Sequence, residues 1–178
     1  MKSCEQSSGQ TILEHGEAVS QAYKDLIGPQ SQIAWRLPDW FKQNHEWMIS
    51  QCPSLDIMEA YHLFHDVGKC ECRELDVAGN PHFQNHALIS ARTWLVAGGS
   101  QQVGTLIERD MDMHLLKPSR VQGYNHFDLV PALLLTALSE IHANAKMFGG
   151  IESTSFKIKW KALDRLGTTI LRSLCSPV

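Results

Sequence analysis

The chain has 178 residues, 43% of them hydrophobic and 20% charged, enough for one globular core that needs neither disulfides nor a structural metal for bulk stability. Sixteen basic and nineteen acidic residues leave a net charge of −3, which excludes a broad positive field for coating nucleic acid or an anionic membrane. No apolar run approaches the roughly 18 residues of a membrane span, the first residues contain no apolar signal core, and five irregularly spaced cysteines do not form a disulfide framework. A cytoplasmic protein with reduced thiols is the expectation.

Residues 1–9 are small and polar and read as a flexible tail. Thr11 is placed to cap a helix through Leu13, Ala18, Val19, Ala22 and Leu26, stopped by Gly28-Pro29. Residues 31–54, crowded with Trp35, Trp40, Phe41 and Trp47, read as one irregular helical stretch with a loop. Ile57, Ala60, Tyr61 and Phe64 recur at helical spacing over Leu55–Val67, with Gly68 as terminator. Residues 70–82 read as a loop around Gly79-Asn80-Pro81, followed by a helix to Gly98-Gly99 and another over Gln101–Leu115. The longest periodic run is Leu129–Phe148. In the last segment Phe156, Ile158 and Trp160 alternate with lysines, so it reads as a helix with an extended entry. The expected fold is all-α: one helical domain over residues 10–178.

The chemistry concentrates in His65-Asp66-Val67-Gly68-Lys69 at the end of an apolar helix. Adjacent histidine and aspartate offer a neutral nitrogen and an anionic oxygen to one metal ion, and the second carboxylate oxygen can reach another. Gly68 lets the backbone turn after the ligands, and Lys69 sets a cation beside any anion held there. Cys70-Glu71-Cys72 lacks the spacing of a zinc knuckle. Among the other histidines, His62 and His142 read as core or off-site, His45 and His126 as surface, and His82 as a residue at a helix start. Asp110 and Asp112 read as a solvated helix face, and so do Lys157, Lys159, Lys161 and Arg165.

The His-Asp-x-Gly-Lys stretch resembles the HD superfamily of metal-dependent phosphohydrolases. The segment around His15 resembles the first helix of that family, Phe83-Gln84-Asn85-His86 a further histidine segment, Leu106–Lys117 a helix ending in a histidine at His114, and Leu133–Asn144 the closing helix. The family places an aspartate on that closing helix, whereas this chain has Glu140, one methylene longer. From the His-Asp pair to Glu140 the chain looks closest to the HD domain appended to bacterial tRNA nucleotidyltransferases, here without a partner catalytic domain.

The resemblance implies a helical bundle with the metal site among its core helices, metal ligands His15, His65, Asp66, His86, His114 and Glu140, and catalytic roles for Asp66 and Lys69. It implies one or two divalent transition-metal ions, with mixed imidazole and carboxylate ligation suiting Mn, Fe, Ni, Co or Zn. Metal-activated water would then hydrolyse a phosphoester in a nucleotide or related small molecule. Two alternatives belong to other classes: a di-iron oxygenase on the same fold, and a non-catalytic module that binds metal or nucleotide. The expected partner is a small phosphorylated substrate, with no membrane and no extended nucleic-acid surface; the aromatic crowding at 35–47 leaves room for a homodimer.

Overall fold

The computed structural model describes residues 5–7, 9–28, 34–79 and 81–175. Helices dominate, in line with the all-α expectation: α1 (Ile12–Ile27), α2 (Asp39–Gln51), α3 (Leu55–Phe64), α4 (His86–Val96), α5 (Gln101–Arg109), α6 (Asp112–Leu115), α7 (Val130–Ala143) and α8 (Thr154–Cys175). Two short antiparallel pairs accompany them, β1 (Glu5–Ser7) with β2 (Gln10–Thr11) and β3 (Arg73–Leu75) with β4 (Pro81–Phe83). Among the described residues, no helix is long and apolar enough to cross a membrane.

The chain divides into two compact units, Met1–Ser20 with Ser54–Met111 and Gln21–Pro53 with Asp112–Val178. One division falls inside α1, so no linker or change of composition marks it.

In the first unit, α1 starts at a reciprocal cap. The Thr11 N–H donates to Glu14 Oε2 at 2.8 Å and the Glu14 N–H to Thr11 Oγ1 at 3.2 Å, which satisfies two N–H groups at the helix start. The part of the expected tail that is described contains β1; Met1–Cys4 and Ser8 lie outside the described residues. α3 ends at Phe64, earlier than its periodicity predicts, and the chain turns through His65-Asp66 into a 3-10 segment over Val67–Cys70. The expected loop at 70–82 includes the β3–β4 hairpin, paired in register from Arg73↔Phe83 to Leu75↔Pro81. Exposed polar residues around the turn hide this pairing in the sequence. The helix expected over Gln101–Leu115 breaks at Asp110-Met111. Asp110 is buried, not solvated, and accepts a hydrogen bond from Tyr61 Oη at 2.5 Å. A buried carboxylate with a phenol donor avoids the desolvation cost of an unpaired one.

In the second unit, α7 is buried along almost its whole length and packs with α2 and α8. α2 is a regular helix rather than an irregular stretch; Pro29–Ile33 lie outside the described residues. α8 is helical from Thr154, so the alternating Phe156–Lys161 stretch has no extended entry: Phe156 is buried while Ile158 and Lys159 are exposed. The indole of Trp40 lies where a Cβ on Gly167 would be, 2.6 Å from Trp40 Nε1, so α2 approaches α8 at a glycine. His142 on α7 is buried and holds the chain after α1. Its Nδ1 donates to Leu138 O at 2.8 Å, and its Nε2 accepts the Arg36 N–H at 3.0 Å.

Burial lowers the His142 pKa from 6.5, partly opposed by the Leu138 carbonyl. A base held neutral in the folded state contributes stability that is full above its unfolded pKa and is lost as pH falls through the folded one. Lowering pH from 7.5 to 5 is therefore expected to reduce the urea midpoint more in the native chain than in His142→Gln. Equal losses in the two proteins would contradict this.

Candidate metal centre

Asp66 is the centre of the first unit's charged cluster. It lies at the corner where α3 hands over to the 3-10 segment, 1% exposed. Its Oδ2 is 2.6 Å from Lys69 Nζ, 3.4 Å from His65 Nε2 and 3.7 Å from His15 Nε2; its Oδ1 is 3.5 Å from His86 Nε2. Burial by itself drives the Asp66 carboxyl upward. The charge and hydrogen bond of His65, with Lys69 and His15 behind it, outweigh burial and hold it well below the usual carboxylate range. The group is an anion.

The two flanking imidazoles are oriented by main-chain carbonyls. His65 Nδ1 faces His62 O at 2.7 Å and His86 Nδ1 faces Phe83 O at 2.9 Å. A carbonyl only accepts, so both Nδ1 atoms carry hydrogen, which leaves Nε2 of each ring to face Asp66 through a proton or a metal ion. A lone-pair nitrogen 3.4–3.5 Å from a carboxylate oxygen is favourable only when a proton or a cation lies between them. Metal ligands with bonds of about 2.1 Å in tetrahedral array lie roughly 3.4 Å apart, the separation found here. Moreover, Asp66 Oδ1 accepts no hydrogen bond although it is buried. Histidine with its far nitrogen on a carbonyl is the usual posture of a metal ligand.

Buried His15, His65 and Asp66 could thus hold a metal ion: their ligand atoms all lie within 4.8 Å of one another. His86 adds a half-buried imidazole on the other carboxylate oxygen. His114 and Glu140, in the second unit, pair with each other, Nε2 to Oε2 at 2.9 Å.

Two glycines bring these side chains together by close approach rather than by unusual backbone angles. A Cβ on Gly16 would lie 2.6 Å from His62 O and 2.9 Å from Leu63 Cα, so α1 rests directly on the α3 backbone beside His15, and the His15 and His65 rings end 5.2 Å apart. A Cβ on Gly68 would lie 2.5 Å from Ser90 N and 2.9 Å from His86 O. Gly68 is thus a packing residue, not only the turn its sequence position suggests. Its N–H donates to the buried Ser90 Oγ at 2.8 Å, which ties the His-Asp corner to α4 and hence to His86.

Gly16, Ser90 and Phe83 escape a reading of ligand types. The signal for Gly16 is its place inside a helix, where glycine costs about 1 kcal/mol against alanine and so needs a packing reason. Phe83 orients His86 through its carbonyl and places its ring 5.5 Å from Lys69 Nζ. His62 is buried as expected, whereas His82 is exposed and lies 3.3 Å from Asp76. Compared with family models, with curated proteins and with solved structures, the chain has no match among any of the three.

Proposed function

We propose that this chain is an HD-type metal-dependent phosphohydrolase acting on a nucleotide or a related phosphorylated small molecule. The observation that carries the reading is Asp66, a buried carboxylate with imidazole nitrogens of His15, His65 and His86 at 3.4–3.7 Å and the Lys69 ammonium at 2.6 Å. In this reading His15, His65 and Asp66 hold a divalent transition-metal ion, since mixed imidazole and carboxylate donors suit Mn, Fe, Co, Ni or Zn better than Mg or Ca. When bound, such an ion acidifies water and polarises a phosphoryl oxygen. His86, on the oxygen of Asp66 opposite to His65, is the donor a second ion would use.

The protein's own groups do the rest. Two carbonyls, His62 O and Phe83 O, keep the Nε2 atoms of His65 and His86 as the donor nitrogens. Lys69 has a side chain 12% exposed, so its ammonium reaches from Asp66 toward solvent and can neutralise a phosphate that enters there. Burial of Asp66 and His15 keeps bulk water from competing for them.

The test is inorganic phosphate release from a panel of nucleoside phosphates with Mn, Co, Ni and Zn. Lys69→Met is expected to keep its metal and lose about 100-fold in kcat/KM, with Lys69→Arg recovering part of it. A fully metal-loaded protein that releases no phosphate from any of them would overturn the reading. Two bound irons with oxygen consumption would replace it by the oxygenase.

A further inference from the structure

We propose that the β3–β4 hairpin supplies the subsite for the organic part of the substrate and selects a flat base bearing an exocyclic amine. The inference rests on the reading of the Asp66–Lys69 corner as the phosphate end. A recess of about 580 Å³ lies against the hairpin, lined by Glu74, Leu75, Asp76, His82, Phe83 and Gln84. That is within the range of small-molecule sites, roughly 300–1,000 Å³.

Phe83 links the recess to the charged corner. It lines the recess, its ring lies 5.5 Å from Lys69 Nζ, and its carbonyl holds His86. A ligand with its phosphate at Lys69 therefore has an aromatic surface next to its organic end, suited to a planar ring. Among the described residues no lysine or arginine lines the recess, while Glu74 and Asp76 bring two carboxylates. Such a lining repels phosphate, which fixes the polarity of the ligand. It favours groups that donate N–H bonds. The Asp76 carboxylate is held in place by two contacts, His82 Nε2 at 3.3 Å from its Oδ2 and the Ala78 N–H at 2.8 Å from its Oδ1. An exocyclic amine offers donors to these acceptors. An oxo group at the same ring position would set a lone pair against them.

The decisive comparison uses pairs that differ in this one group: AMP against IMP and CMP against UMP, with ribose 5-phosphate as a ligand lacking any base. Affinity is read by titration calorimetry in EDTA, where no turnover occurs, and KM on the Mn-loaded protein. The amino member of each pair is expected to bind roughly tenfold tighter. The exposed-hairpin double variant Glu74→Gln/Asp76→Asn keeps the turn acceptor at position 76. It is expected to bring each pair to parity while ribose 5-phosphate affinity stays unchanged, and Phe83→Leu to weaken all four nucleotides by a larger factor than ribose 5-phosphate. Equal affinities within both pairs in the native chain, or a preference that survives the double variant, would overturn the inference alone. If ribose 5-phosphate neither binds nor is hydrolysed, the phosphate reading of the corner fails and takes the subsite with it.

Discussion

Asp66→Asn is expected to remove metal binding. The substitution keeps the shape of the side chain but takes away the anion to which three imidazoles and an ammonium are directed. Loss of an outer partner of a ligand alone costs about 10–100-fold in metal affinity, so loss of the carboxylate ligand costs at least that. In EDTA the variant is also expected to be less stable by about 3 kcal/mol, because the largely buried Lys69 ammonium loses its counter-charge. The two effects separate in thermal melts. At a metal concentration of about 100 times Kd the native chain gains roughly 2.7 kcal/mol, which raises Tm by about 5–10 °C, whereas the variant gains nothing. Metal content by emission spectroscopy and near-UV dichroism complete the measurement. A folded Asp66→Asn protein that takes up metal with native stoichiometry and affinity would contradict the centre described here.

The second large effect is expected at Gly68, which carries no chemistry of its own. Alanine there must push its methyl into the backbone of α4, at Ser90 N and His86 O, and backbone cannot swing aside as a side-chain tip can. Gly68→Ala is therefore expected to destabilise by about 2–3 kcal/mol and lower Tm by roughly 5–10 °C. Gly123→Ala is the control: a Cβ there meets nothing within 4 Å, and its stability is expected to be unchanged. Because the displaced segment begins at His86, Gly68→Ala should also weaken metal binding, read by calorimetry at a temperature where both proteins are folded. A variant with native Tm and native metal affinity would show that the corner tolerates a wider gap.

The helices were legible because burial follows period. α1 and α7 repeat their apolar positions at helical spacing and end where glycine or a polar turn stops them. Local pattern failed where a contact distant in sequence decided the outcome. The Phe156–Lys161 alternation suggests a strand, yet Phe156 and Leu163 become buried positions on one helix face. Asp110 looks like a surface acid until Tyr61, 49 positions away, is seen to donate to it.

For the site, the sequence by itself determined the chemical kinds: an adjacent His65 and Asp66 at a helix end, Lys69 one turn on, and histidines at 15 and 86 able to join them. Those are properties of side chains and short spacings, which need no tertiary contact to exist. The tertiary structure decided how the side chains of the first unit are brought together and oriented. It seated α1 on α3 through Gly16 and α4 on the His-Asp corner through Gly68, so that three imidazoles converge on one carboxylate. Convergence of this kind depends on how closely two backbones can approach, and a missing Cβ is silent in a reading that looks for side chains with chemistry.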